Sequence, residues 1–349
     1  MGTREPRTLS DRRSAILRSI VSEYVRSGEP VGSKALVARY NLGVSPATVR
    51  NEMAALEDEG FIYQPHTSAG RIPTDSGYRH YVDATPQESK LSARESHQIQ
   101  SFFGEPRFEL EDALRQTAAL LSGLTDHAAV VFAPALQRSM VRHVELVQLT
   151  GARAMLVVVT DTGRVENHII SMPDTRDAQL DQTAQLLNRL LADVPLDSAA
   201  TTVLEGVEKL PLELRDLASR VAAVLGDGIA DRDAQRVFLE GTSNIVDEHK
   251  FTDLETVRQV IGALEHRRLL FEVLADALAM GSISVRIGSE NALYEMQHCA
   301  VITAPYGSSD NPLGSLGVVG PTRMDYRRTI SAVHEVASNL GQMLSGLGI

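Results

Sequence analysis

Residues Val44–Ile62, V-S-P-A-T-V-R-N-E-M-A-A-L-E-D-E-G-F-I, carry both ends of a helix inside one short run. Ser45 can accept a bond from an orphan backbone N–H, Pro46 suits the first helical position, and Gly60 suits the residue just past the end. Between them Val49, Met53 and Leu56 fall at i, i+4 and i+7, one apolar stripe. Such a segment folds as a short helix with a single buried face. The opposite face is unusual, with Ala47, Asn51 and Ala54 beside Thr48 and Arg50. Small residues keep a helix slim, and Asn and Arg are the side chains that pair bidentately with adenine and guanine edges.

The flanks extend this pattern. Ser10–Ser27 reads as a helix with Ile16, Ile20 and Tyr24 on one face, widened by Leu17 and Val21, and ended by Gly28-Glu29-Pro30. Ser33 is placed to cap a second, short helix over Lys34–Tyr40, and Asn41-Leu42-Gly43-Val44 makes a tight connection onward. That is the helix-turn-helix order. After it, Phe61-Ile62-Tyr63 reads as a strand, Pro65–Gly70 as a turn and Arg71-Ile72-Pro73 as a returning edge strand, which makes a wing. The predicted DNA contacts are Thr48, Arg50 and Asn51 on the helix and Arg71 on the wing, with Ser45 on a phosphate. Lys34 and Arg39 are further phosphate candidates. Taken alone, the helix fits an ordinary three-helix domain with Arg50 and Asn51 solvated; the complete order favours the nucleic-acid reading.

A formal net charge of −11 argues against DNA binding until it is divided along the chain. Residues 1–85 hold 11 Lys/Arg against 10 Asp/Glu, net +1, and the remainder 23 against 35, net −12. The acidic excess therefore lies away from the helix-turn-helix and can keep phosphates off the rest of the surface. The lone Cys299 rules out an intrachain disulfide and a Cys-based zinc finger. The first residues lack an apolar signal core, and runs such as Ala154–Val159 are too short to span a bilayer. A cytoplasmic protein with no membrane partner is expected.

Beyond residue 85 the chain reads as α+β. Gln87–Phe108 is polar, a helical linker with a break at Gly104–Pro106. A helix over Leu110–Leu124 precedes strands at Ala128–Phe132, Val141–Leu149, Met155–Thr160 and Val165–Ser171, with a turn at Asp161-Thr162-Gly163. A helix over Gln179–Leu191 follows, and 195–279 is mostly helical (Leu214–Leu225, Leu254–Leu264, Arg267–Leu278) with one short strand, Arg236–Leu239. Strand pattern resumes at Ser282–Ile287, Cys299–Ala304 and Ser315–Val319. The last helix carries Tyr326, Ile330, Val333, Ala337, Leu340 and Leu344 on one core-facing stripe. Linear order leaves an inserted helical block and three domains in series equally open.

Other tempting stretches lead to no chemistry. The glycines from Gly314 to Gly320 lack the Lys-Ser/Thr of a phosphate-binding loop. His298-Cys299 has no identifiable partner, and His66, His80, His97 and His127 have no zinc-ligand spacing. No cofactor, metal or catalytic set is expected, and no enzyme.

Five runs give a resemblance. S-P-A-T-V-R-N-E-M-A-A-L-E-x-E-G-F-I, H-T-S-A-G-R-I-P-T, G-Y-R-H-Y-V-D, F-L-E-G-T-S-N-I and G-V-V-G-P-T-R-M-D-Y resemble motifs of the bacterial heat-inducible transcription repressor family HrcA. The resemblance implies a homodimer on an inverted-repeat operator upstream of chaperone operons, released by heat, with the GroEL chaperonin as partner. It also implies a multidomain α+β fold: a winged helix-turn-helix, placed at 1–85, and a GAF-like α+β domain, placed at 109–194 and 280–349; the segment between, read above as a linker and set at 86–108, matches little of the family. A mostly helical dimerisation domain inserted at 195–279 completes it. Two other classes compete: a metabolite-responsive winged-helix regulator using the GAF-like domain as sensor, and a winged helix that binds another protein.

Overall fold

The computed structural model describes residues 9–67, 69–84, 91–104, 110–133, 140–150, 152–161, 165–172, 177–233, 237–245, 254–266, 270, 281–308 and 311–346. The chain divides into two compact units. The first runs to Val131 and takes up Leu239–Pro305 and Leu316–Asn339; the second holds Phe132–Phe238, Tyr306–Ser315 and the chain from Leu340.

The first unit begins with α1 (Asp11–Ser27), α2 (Ser33–Arg39), α3 (Pro46–Asp58), β1 (Ile62–Tyr63), β2 (Ile72–Pro73) and α4 (Asp75–Asp83). Ile16, Ile20 and Val21 of α1, Leu36 of α2, and Val49, Met53 and Leu56 of α3 are buried together with Tyr78 and Tyr81 of α4. The second helix starts at Ser33 itself, with Gly32 at the cap position and no side-chain cap bond, so the expected Ser33 cap is corrected. The wing pairs Ile62 with Pro73 and Tyr63 with Ile72, antiparallel. An isolated bridge between Val31 and Arg71 adds a third rung. One residue carries no alternation, which is why the sequence did not show it. Gly70 permits this bridge: a Cβ there would stand 2.5 Å from the Val31 carbonyl.

The same unit continues with α5 (Ala93–Gly104), α6 (Leu110–Thr125) and β3 (Ala128–Phe132). The five-stranded sheet has the order β7-β3-β10-β9-β8, with β7 at Val237–Glu240, β8 at Ser284–Ile287, β9 at Cys299–Ser308 and β10 at Asn311–Pro321. Helices α10 (Leu254–Glu265) and α11 (Tyr326–Gly346) accompany it. β3 runs antiparallel to β10, Val130 opposite Gly317, and all five of its residues are buried. The described part of the expected 86–108 linker is a packed helix. Ile99 is fully buried, and Glu95 accepts from Arg328 Nε at 2.7 Å.

The second unit has its own sheet of β4 (Val141–Thr150), β5 (Arg153–Thr160) and β6 (Val165–Ser171), all antiparallel in the order β4-β5-β6. Helices α7 (Asp177–Leu191), α8 (Leu196–Val207) and α9 (Leu212–Asp233) close one face, burying Val144, Leu156, Val158 and Ile170 against Leu187, Val203 and Val221. Asn188 locks α7 to β4 by accepting from Val144 N at 2.8 Å and donating to Val144 O at 2.6 Å.

This corrects the expected boundaries. Strands 141–171 do not extend the first sheet; they pair among themselves and pack with the helices that follow, so no break falls at 194/195. β7 and α10, expected in a block at 195–279, lie instead in or beside the five-stranded sheet, with α10 against the turns that follow β7 and β8. Alternation identifies a strand without naming its neighbour, and β3 finds its neighbour β10 nearly two hundred residues away. The expected helix 267–278, save for Leu270, and most of the turn at 161–163 lie outside the described residues.

Candidate nucleic-acid interface

α3 is fixed at both ends as its sequence requires. Ser45 Oγ accepts from Thr48 N at 3.2 Å and lies 3.0 Å from Thr48 Oγ1. At the other end Gly60 takes φ 82°; its N–H donates to Glu57 O, and Phe61 N donates to Leu56 O, both at 2.9 Å. These are the paired bonds of a helix terminated by a left-handed glycine. Val49, Met53 and Leu56 face the core, while Ala47, Arg50, Asn51 and Ala54 are exposed. The Arg50 and Asn51 side chains have no hydrogen-bond or ion-pair partner among the described residues.

Three of the carboxylates around α3 are neutralised by arginines from outside the helix. Arg13 of α1 donates through Nε to Glu52 at 2.8 Å and through Nη1 to Glu59. Arg71 donates to Glu57 from the base of the wing, with Nε at 2.9 Å and Nη2 at 2.7 Å. The outer surface therefore keeps Arg50 as an unpaired cation, with only Asp58 exposed at the far end. An anionic partner meets a slim helix, a cation and an amide there.

The other expected residues divide. Lys34 is exposed on α2 without a partner among the described residues. Arg39 is exposed but 3.6 Å from Glu23, whose pKa is lowered first by the Arg26 hydrogen bond and then by the charges of Arg26 and Arg39. Arg71 is only 22% exposed because of its pairing with Glu57. The wing loop is held by Gln64 Nε2, which donates to Thr67 O and Ala69 O, each at 3.0 Å. Ser45, Thr48, Arg50 and Asn51 thus share the exposed side and N-terminus of α3, whereas Arg39 and Arg71 are tethered by carboxylates. The sequence pattern did not reveal Glu57 as the partner of Arg71, since 14 residues separate them across a turn.

The remaining candidates resolve into packing. Tyr306 fills the space beside Gly314, the Ile302 carbonyl and Thr303 that beside Gly317, and the His127 ring that beside Gly320, so these glycines form no phosphate cradle. Cys299 is buried, and burial pushes its thiol up to about 12, which removes it as a nucleophile. A cleft of about 220 Å³ is lined by Val25, His127, Arg323 and Arg328 together with Asp126 and Asp325, two cations against two anions. Among the described residues no cluster of three or more His, Cys, Asp or Glu is placed to hold a metal, and no helix is long and apolar enough to cross a membrane.

Relatives decide the family. A heat-inducible transcription repressor HrcA of Nocardia farcinica (strain IFM 10152) is 45% identical over 337 residues, covering 96% of this chain and 97% of its own. That of Rhodococcus jostii (strain RHA1) is 44% identical over 341 residues, covering 96% and 98%. The family profile described as HrcA protein C terminal domain matches residues 111–330. This chain belongs to the HrcA family. HrcA proteins are transcription repressors and not enzymes. A crystal structure described as that of a hypothetical protein at 2.2 Å aligns with a TM-score of 0.66 at 24% identity, covering 97% of this chain and 100% of that one, which extends the fold likeness through the chain.

Two HrcA-like motifs far from α3 in sequence fall at structural joints. F-L-E-G-T-S-N-I runs along β7 into a turn where Gly241, at φ 74°, lies against Ser122, and Asn244 Nδ2 donates to Ser122 Oγ at 3.0 Å. G-V-V-G-P-T-R-M-D-Y ends β10 and starts α11, with buried Tyr326 5.7 Å from the Tyr78 ring of α4.

Proposed function

We propose that the protein represses chaperone operons by binding an inverted-repeat operator as a homodimer, with α3 of each copy in the major groove. The observation that carries this reading is the outer face of α3, where Arg50 and Asn51 stand between Ala47 and Ala54 without internal partners among the described residues. Arg50 is assigned to guanine and Asn51 to adenine. Thr48 and the capped N-terminus at Ser45 take a phosphate, as does Lys34; Arg39 and Arg71 reach phosphate by exchanging their carboxylates for it. Names of the relatives, heat-inducible repressors, support release on heating. The GroEL chaperonin is proposed as the partner that returns the protein to its DNA-competent state, and the five-stranded sheet with its helices as the GAF-like domain.

Dimerisation is assigned to the second unit. Among the described residues, helices cover one face of its three-stranded sheet. On the other face Val147, Met155 and Ile169 form one cross-strand row, with Val147 40% and Ile169 64% exposed. Val159 and Val165 are paired four residues further along. A row of exposed apolar residues on a sheet suits a self-complementary two-fold contact.

The test is a fluorescence-anisotropy titration on duplexes from upstream of the host's chaperone operons. The native protein is expected to bind one of them with two-fold footprint symmetry, and Arg50→Ala to bind weakly. Equal binding by both proteins would remove α3 as the reader.

A further inference from the structure

Helix α4 grips the edge of the five-stranded sheet through two side chains one turn apart. Asp75 Oδ2 accepts from Ser289 N at 2.9 Å and from Ser289 Oγ at 3.0 Å. Arg79 Nε donates to Glu290 Oε1 at 2.8 Å, and its Nη2 donates to Glu290 Oε2 and to the Val285 carbonyl. The two grips lie at i and i+4 on α4, and their partners are consecutive residues.

The receiving turn is shaped for this contact. Glu290 Oε2 also accepts from Ile287 N at 2.9 Å, which closes the turn Gly288–Glu290. Gly288, at φ 55°, leaves room for Asp75, whose carboxyl carbon would stand 2.2 Å from a Cβ there. An anion and a cation set in order against a backbone N–H and a carboxylate make a keyed contact, because a one-residue slip breaks both halves.

The other side of α4 is joined to the reading helix. Thr74 Oγ1 donates to Gly60 O at 2.7 Å and Thr74 N to Phe61 O at 3.0 Å. Gly77 lies so close to the Phe61 carbonyl that a Cβ would meet it at 2.2 Å. Gly60 is the residue that terminates α3. Hydrogen bonds therefore run from the end of α3 through residues 60–61 and α4 to the turn after β8.

We propose that the Asp75–Ser289 and Arg79–Glu290 contacts fix the orientation of α3 against β8 and its sheet, and thereby the half-site spacing a dimer accepts. The inference rests on the two-fold DNA-binding reading above. A winged helix that swivels on a tether tolerates several spacings; a keyed one accepts the spacing that presents both half-sites on one side of the duplex. Asp75, Arg79, Ser289 and Glu290 are positioning residues in this scheme and touch no DNA.

The experiment titrates wild type, Glu290→Gln and Arg79→Gln against duplexes whose half-sites are separated in steps of one base pair, and against a single half-site. Glu290→Gln keeps an acceptor for Ile287 N, and thermal melting checks that each variant is folded. Wild type is expected to prefer one spacing. Each variant is expected to lower the affinity ratio between best and next spacing by roughly fivefold while leaving single-half-site affinity unchanged. The double variant loses no more than either single one, as one shared contact requires. Folded variants that keep the wild-type preference overturn the inference, and so does a uniform loss that includes the single half-site. If wild type binds no duplex, the DNA reading falls first and this inference with it.

Discussion

Arg71 Nε donates to Glu57 Oε2 at 2.9 Å, which ties the base of the wing to the last turn of α3. The pair holds the wing in place and also keeps a cation in reserve. On the proposed DNA-binding reading, a phosphate arriving at the wing would compete with Glu57 for the same guanidinium. Arg71→Ala is expected to weaken binding to all duplexes alike and to reduce the slope of log affinity against log salt by about one. Glu57→Gln, which removes the competing carboxylate, is expected to tighten binding. Weaker binding by Glu57→Gln in the same salt titration would confine Arg71 to bracing the wing.

Arg50 and Asn51 project from the exposed face of α3, so their loss leaves the core intact. Arg50→Ala and Asn51→Ala are each expected to cost about 1–3 kcal/mol of operator affinity and to relax preference at one base pair per half-site. Melting temperatures should stay within a degree or two of wild type, since exposed substitutions change stability by about 0.5 kcal/mol or less. Anisotropy titrations against single-base operator variants read both effects. Unchanged base preference in both variants would move recognition off this helix.

The row Val147, Met155 and Ile169 predicts the oligomer. Ile169→Asp places a charge on an exposed face of the sheet, where the monomer tolerates it and a partner does not. Sedimentation velocity is expected to show a monomer for Ile169→Asp where wild type is a dimer, with operator affinity lost and single-half-site binding retained. A wild-type sedimentation profile for the variant would place the two-fold contact elsewhere.

Glu95 sets an acid-side prediction. Hydrogen bonds from the Ser92 hydroxyl, Arg328 and the Ser92 N–H lower its carboxyl pKa to about 2, the Ser92 hydroxyl contributing most. A group whose folded pKa is depressed contributes stability above its unfolded pKa, near 4.3, and loses it as pH falls toward the folded value. The melting temperature of wild type is therefore expected to fall between about pH 4.3 and 2 more steeply than that of Glu95→Gln. Parallel curves for the two proteins through that window would show that Glu95 carries no such linkage.

The helix-turn-helix and wing were legible because their signals are local. Ser45, Pro46 and Gly60 mark α3 from within it, and the wing strands sit within ten residues of each other. The single-residue bridge at Val31, the Gly32 cap position of α2 and the Glu57 partner of Arg71 left no periodic trace. Farther along, the strand expected at Val141–Leu149 is present as Val141–Thr150, yet its assignment to a second sheet depends on register with Arg153–Thr160 and on helices that follow. The Asp75–Arg79 pair carried a readable signal, opposite charges one turn apart on a short helix. Its partners lie more than two hundred residues away, where only the folded chain brings them together.

β3 and β7 are neighbours in the five-stranded sheet, although the chain between Phe132 and Val237 makes a long excursion into the other unit. The exit and re-entry points stand side by side, so that excursion behaves like a cassette plugged into a host. If the two-fold reading proposed above holds, cutting it out and closing the gap with a few residues should leave a solitary reader, able to hold half an operator and unable to count to two.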